Sequence, residues 1–276
     1  MGGAKRWSGL KLDQPHVMGI INVTPDSFSD GGQFHHVDQA ILHGRQLSNE
    51  GASILDVGGE STRPGATPVG RQQELDRVLP VVSALAQEGF LVSIDTRHPE
   101  IMVAAAKAGA KIINDVSGFT NASDSISVAV DLALPVCLMH MRGTPQTMQN
   151  DPRYDDAAKD IARWLHHQAD KLIDAGLDRQ HICLDPGIGF GKTLRHNLSI
   201  LQNWPLYEAA FPAMLGASRK GFIEKIAGDV EPARRLPGSL VAATAVYRKG
   251  CRLFRVHDVA ATLQALAVEQ ALMAGA

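Results

Sequence analysis

Five basic side chains, Arg63, Arg219, Lys220, Arg255 and His257, stand at or just beyond the ends of short apolar runs, in a chain whose formal net charge is only −2. In so neutral a chain, this grouping suggests a bound polyanion and not a broad basic face, so nucleic acid is not the expected partner. A set of unrelated surface cations is the alternative. Three further runs end in Asp95, Asn114 and Asp185. Carboxylates so placed could act as general acid and base. They could equally accept hydrogen bonds from a heterocycle rich in N–H donors, and a pocket built that way rejects analogues lacking those donors. Helix capping by Asp95 and Asn114 is the structural alternative.

Two other patterns imitate familiar sites. In Gly187-Ile188-Gly189-Phe190-Gly191-Lys192-Thr193, the phosphate-loop spacing would need glycine at 186, where Pro186 stands, and glycines at every second position fail the dinucleotide spacing. The first apolar run ends Asn22-Val23-Thr24, without the His-x-His of metal-dependent hydrolase barrels. The histidines are mostly scattered, with His35-His36 and His166-His167 reading as solvent-facing, so no histidine metal cluster is expected. Segments 24–34 and 58–66 are rich in turn residues and long enough to act as lids, or are ordinary surface loops.

The elements that must position these groups alternate from end to end. Apolar runs at 17–23, 52–57, 91–94, 111–116, 135–139, 181–184, 213–217 and 251–256 have strand length. They are continuous instead of alternating, as strands buried on both faces are. Helical patterns fill 37–50, 71–88, 99–108, 155–175, 234–248 and 258–274, with weaker ones at 123–131 and 194–204. This alternation predicts an α/β fold, a (β/α)8 TIM barrel of parallel strands, as one domain over 1–276 with its core at 17–274. Every run ends in polar groups: Asn22, Asp56, Asp95, Asn114 with Asp115, His140, Asp185, Ser218 with Arg219 and Lys220, and Arg255 with His257. Barrels of this class carry their active sites at the C-terminal strand ends.

Composition sets the remaining bounds. A hydrophobic fraction of 45% supplies a large core. Cys137, Cys183 and Cys251 sit in or beside apolar runs and read as buried, inert thiols, which fits a reducing, cytoplasmic setting. Residues 1–12 lack the apolar centre of a signal peptide, and no 18-residue apolar run predicts a membrane span. Segment 258–274 has few polar residues (Thr262, Gln264, Glu269 and Gln270 among them) and an outward face expected to be Ala, Val and Leu. That face predicts a homodimer, with Leu266 as its probe, unless helix 234–248 covers it.

Several segments, in order, resemble the dihydropteroate synthase family of pterin-binding enzymes. They are Asn22-Val23-Thr24-Pro25-Asp26-Ser27-Phe28, Gly58-Gly59-Glu60-Ser61-Thr62-Arg63-Pro64-Gly65, Ser93-Ile94-Asp95-Thr96, Ile113-Asn114-Asp115, Met139-His140-Met141-Arg142, Asp185-Pro186-Gly187-Ile188-Gly189-Phe190, Ser218-Arg219-Lys220 and Arg255-Val256-His257. Gly221 departs from the family, which often has serine there. The resemblance implies condensation of 6-hydroxymethyl-7,8-dihydropterin pyrophosphate with p-aminobenzoate to 7,8-dihydropteroate and pyrophosphate, with Mg2+ as cofactor and a homodimer as assembly. It implies that Asn22 binds the metal and that Arg63, Arg255 and His257 hold the pyrophosphate, with Val256 between the last two. It further implies that Asp95, Asn114, Asp185 and Lys220 bind the pterin edge beside Met139, and that Thr62, Pro64, Phe28, Phe190 and Ser218 line the p-aminobenzoate site. Sensitivity to sulfonamides, which are similar to p-aminobenzoate, is implied as well. Two other functions would share the Asp95, Asn114 and Asp185 pocket: a pterin-binding methyltransferase domain serving a corrinoid protein, and a non-catalytic pterin-binding paralogue. Neither needs the phosphate-side cations.

Overall fold

The computed structural model describes residues 5–24, 33–63, 65–228 and 230–275. Eight parallel strands follow one another around a barrel: β3 (His16–Asn22), β4 (Ile54–Gly58), β5 (Val92–Asp95), β6 (Ile112–Asp115), β7 (Val136–Met139), β8 (Ile182–Asp185), β9 (Met214–Leu215) and β10 (Leu253–Val256). β10 returns to pair with β3, Leu253 opposite His16 and Val256 opposite Gly19. Between β8 and β9 a single parallel bridge, Leu184 to Ala213, completes the ring. The expected barrel is therefore present, with every strand inside its expected run or within one residue of it, although β9 keeps only two residues of the run at 213–217.

Helices α1 (Gln33–Asn49), α2 (Arg71–Gln87), α3 (Pro99–Ala108), α4 (Ser125–Leu132), α5 (Ala157–Asp174), α6 (Leu194–Gln202), α7 (Pro205–Glu208), α8 (Gly221–Ala227), α9 (Leu236–Tyr247) and α10 (Val259–Ala274) occupy the connections. Their apolar residues, such as Val78, Val82 and Leu165, pack on the outward strand residues Val17, Val57 and Ile94 as the main core. Strand residues of the other parity point into the lumen, because successive side chains of a strand face opposite ways.

A two-stranded hairpin, β1 (Arg6–Trp7) and β2 (Leu10–Lys11), was not anticipated from the sequence. Ser8 and Gly9 both take positive φ, 49° and 78°, the backbone of the tight hairpin turn that suits twisted strands. Trp7 is 1% exposed and packs with Met18, Ile54, Ile112, Cys137, Cys183, Met214 and Leu253, each from a different strand. Its indole N–H donates to the His181 carbonyl at 2.9 Å. The hairpin thus closes the N-terminal end of the barrel.

The outward face of the last helix is largely Ala, Val and Leu, as expected, but Leu266 is not part of it. Leu266 is fully buried against the chain's own core, and Glu269 is buried and takes an ion pair from Arg248 on the neighbouring turn after α9. The exposed apolar side chains of this region are Val241, Val268, Leu272 and Met273. No helix among the described residues is long and apolar enough to cross a membrane.

Candidate active site

The period of two that sends Ile54, Ile112 and Leu253 into the lower lumen brings Asp56, Asn114 and Arg255 inward above them. Their contacts run across the lumen. Arg255 Nε donates to Asp56 Oδ2 at 2.6 Å, and its Nη2 donates to Asp95 Oδ2 at 2.7 Å. Asn114 Nδ2 donates to the same Asp56 oxygen at 3.0 Å, reaching from β6 past β5 to β4. Asp56 is wholly buried, and its Oδ1 has no partner among the described residues. Burial pushes Asp95 up to about 7, against the pull of Arg255. Burial would lower Arg255, but Asp56 and Asp95 overcome it and hold the guanidinium above its usual range. Neither Asp95 nor Asn114 caps a helix: α3 begins after His98 and α4 after Asp124.

Asp185 ends β8. Its Oδ1 accepts the Gly187 N–H at 2.7 Å, and burial raises its pKa. Its Oδ2 faces the bare side of Gly216, where even a methyl group would lie 3.3 Å away. Lys220, at the start of α8, holds its Nζ 4.0 Å from the Phe190 ring centroid. Burial, then Arg255, brings Lys220 down to about 8; the Arg63 charge also reaches it, which puts Arg63 on this face. Val116, Met139, Met148 and Phe190 form an apolar wall beside these groups.

The basic residues expected to meet a polyanion are not alike. His257 Nδ1 lies 3.1 Å from Ser218 Oγ, and the same oxygen accepts the His257 backbone N–H at 3.2 Å. Burial, followed by the Arg219 and Arg255 charges, pushes His257 down to about 3, so its imidazole is neutral at pH 7. Arg219 is not a free cation: its guanidinium pairs with Asp258, Nε to Oδ2 at 2.9 Å and Nη2 to Oδ1 at 2.5 Å. It braces the turn after β9, where its own φ is +58°. Arg63 is exposed and Thr62 half-buried. Val256 is buried in the outer core. Asn22, half-buried at the end of β3, makes no side-chain hydrogen bond among the described residues. Phe28 and Pro64 lie outside the described residues, as does most of the 24–34 segment.

Sequence reasoning missed the support behind Phe190. Lys192 is 2% exposed, and its Nζ reaches the His140 Nδ1 at 3.0 Å, the His140 carbonyl at 3.2 Å and the Phe190 carbonyl at 2.8 Å. The glycines of this loop serve its backbone. Gly187 has φ +66°, and a Cβ there would sit 2.1 Å from the His140 carbonyl oxygen. Asp115 is likewise structural: it accepts the Ser117 and Phe119 N–H groups at 2.7 and 2.9 Å. Nothing in the sequence separates Asp115 from Asn114 except strand parity.

A family model described as "Pterin binding enzyme" matches residues 18–257. The dihydropteroate synthase of Escherichia coli strain K12 is 44% identical over 96% of this chain and 94% of its own length. Among solved structures, Xanthomonas albilineans dihydropteroate synthase with 4-aminobenzoic acid superposes with a TM-score of 0.91 at 44% identity, covering 99% of both chains. The same organism's enzyme in complex with 7,8-dihydropteroate gives a TM-score of 0.87 at 43% identity, covering 96% of both chains.

Proposed function

The chain belongs to the pterin-binding enzyme family, and we propose that it is a transferase of the dihydropteroate synthase type. It joins 6-hydroxymethyl-7,8-dihydropterin pyrophosphate to p-aminobenzoate, giving 7,8-dihydropteroate and pyrophosphate for folate biosynthesis. The observation that carries this reading is one lumen in which polar side chains from β4, β5, β6 and β8 surround Arg255 and the neighbouring Lys220.

In the reaction, the bond from the pterin 6-methylene carbon to the pyrophosphate oxygen breaks. A bond from that carbon to the arylamine nitrogen forms, and the nitrogen then loses a proton. The arylamine is neutral at pH 7, so the site needs no strong base. Asp185 Oδ2, with Asp95 and Asn114, accepts or exchanges hydrogen bonds along the pterin edge, and Lys220 donates to it. Met139 and Phe190 flank the rings. Arg255 is anchored by Asp56 and Asp95, so its cation is fixed where the leaving group gains charge, which is the arrangement that lowers a barrier most. Arg63 and the neutral His257 complete the pyrophosphate side, while Thr62 and Ser218, with Phe28 and Pro64, serve the p-aminobenzoate. Asn22 offers an uncommitted amide oxygen, a hard donor that fits Mg2+ together with water and phosphate oxygens. When bound there, Mg2+ supplies further positive charge to the departing pyrophosphate.

The cations separate this reading from a methyltransferase domain, which transfers no pyrophosphate. We further read the protein as a cytoplasmic homodimer, supported by three buried free thiols and by the exposed apolar side chains of α9 and α10. The test is pyrophosphate release by the full chain given both substrates and Mg2+, alongside methyl transfer to a corrinoid acceptor. Pterin binding without pyrophosphate release would overturn the assignment in favour of a non-catalytic paralogue.

A further inference from the structure

Beside the C-terminal ends of β4 and β5, three side chains from three separate segments converge. Glu60 lies in the connection after β4, Glu74 in the first turn of α2, and His98 just before α3. One potential ligand atom from each lies within 4.8 Å of the others, and His98 Nε2 stands 3.9 Å from Glu74 Oε2. Glu74 has no exposed surface. Its Oε1 accepts the Thr96 hydroxyl at 2.7 Å, while its Oε2, also buried, has no hydrogen-bond partner among the described residues. A buried carboxylate oxygen left without a donor is costly, and such an oxygen in a native fold calls for a partner. His98 does not fill that role, because 3.9 Å is too long for a hydrogen bond.

We infer that Glu60, Glu74 and His98, none of them assigned to substrate, form a transition-metal site that takes a divalent ion of the Zn2+ class. An imidazole nitrogen beside two carboxylates favours such an ion over Mg2+ or Ca2+, which prefer all-oxygen sets. A tetrahedral ion with bonds of about 2.0–2.1 Å sets its ligand atoms roughly 3.4 Å apart, so the Glu74–His98 gap must close by roughly half an ångström. An outer partner is in place. Arg97 binds Glu60 at 2.9 Å from Nε and 3.0 Å from Nη2. Metal sites hold their carboxylate ligands in this way. The Asn121 Nδ2, 3.4 Å from His98 Nδ1, is a donor and must turn away for Nδ1 to carry the proton when Nε2 takes an ion. An ion here would tie the root of the segment carrying Thr62 and Arg63 to α2 and to the start of α3.

The experiment is calorimetric titration of Zn2+ into the full chain after treatment with EDTA, with the visible spectrum of Co2+ as a second reading. The wild type should bind one more equivalent of Zn2+ than either His98→Ala or Glu74→Gln, and Asn22→Ala should retain it. Co2+ should give the intense bands of a four- or five-coordinate site in the wild type and lose them in both variants. Equal stoichiometry in wild type and variants, or a wild-type Co2+ spectrum showing only six-coordinate aquated ion, overturns the proposal and leaves the Glu74 oxygen to carry a proton. The spectrum needs no variant, so poor folding of either one does not decide the matter.

Discussion

Asp185 divides its two oxygens between structure and ligand: Oδ1 holds the Gly187 N–H, and Oδ2 faces the lumen beside Gly216. In Asp185→Asn the amide oxygen would stay on Gly187, which turns Nδ2 toward the pterin and sets donor against donor. Affinity for the pterin pyrophosphate should fall by about 5- to 150-fold, since one unsatisfied buried polar group costs about 1–3 kcal/mol. The melting temperature should change little. Calorimetry showing unchanged affinity would remove Asp185 from the pocket. His257 gives a pH signature. Its folded pKa, about 3, lies below its unfolded value of 6.5, so between those limits the unfolded chain binds a proton that the folded chain does not. Stability contributed by the neutral His257 is complete above pH 6.5 and is lost as pH falls toward 3. In His257→Gln, unfolding free energy should therefore decline less steeply over that window, and identical slopes in urea titrations would contradict the burial argument. Much at this scale was readable beforehand. Strand parity already places Arg255 and His257 on one side of β10 and separates Asn114 from Asp115. The fate of Arg219 was not readable, because it follows β9 in a turn at φ +58°, where no period tells which way a side chain points.

The strands were legible because both faces of a barrel strand are buried, which leaves an uninterrupted apolar run whose ends are marked by the first polar groups. Hairpin β1–β2 offers only two residues per strand, too few for a period, and the cues were slight: Ser8-Gly9 between Trp7 and Leu10. Helix α8 was missed for a related reason, since seven residues after a loop do not reveal a helical stripe. The hairpin's weight rests on Trp7. Trp7→Ala should destabilise the protein by about 3–5 kcal/mol, as large-to-small changes in cores do. Because the plug lies at the end opposite the site, KM for both substrates should hold in the folded fraction. Guanidinium unfolding with a loss under about 1 kcal/mol would mean that the indole is only loosely seated.

Across the whole molecule, the exposed apolar side chains Val241 and Val268, at 68% and 57%, with Leu272 and Met273, make the surface proposed to pair two chains about a two-fold axis. Val268→Glu with Leu272→Glu should give monomers in sedimentation at micromolar concentration; a persistent dimer would place the contact elsewhere. Leu266 was the wrong probe, since a single sequence shows that α10 is apolar on several faces but not which of them β3 and α9 already cover. The plug at the other end of the barrel bears on how the chain is made. Trp7 leaves the ribosome well before its partners: the carbonyl it binds lies 174 positions later, and Leu253 of its cluster later still. At roughly 5–20 residues per second, the indole waits for about ten seconds or longer with nowhere to dock. A segment made before the barrel strands is thus among the last to settle, and its burial reports that the ring of strands has closed.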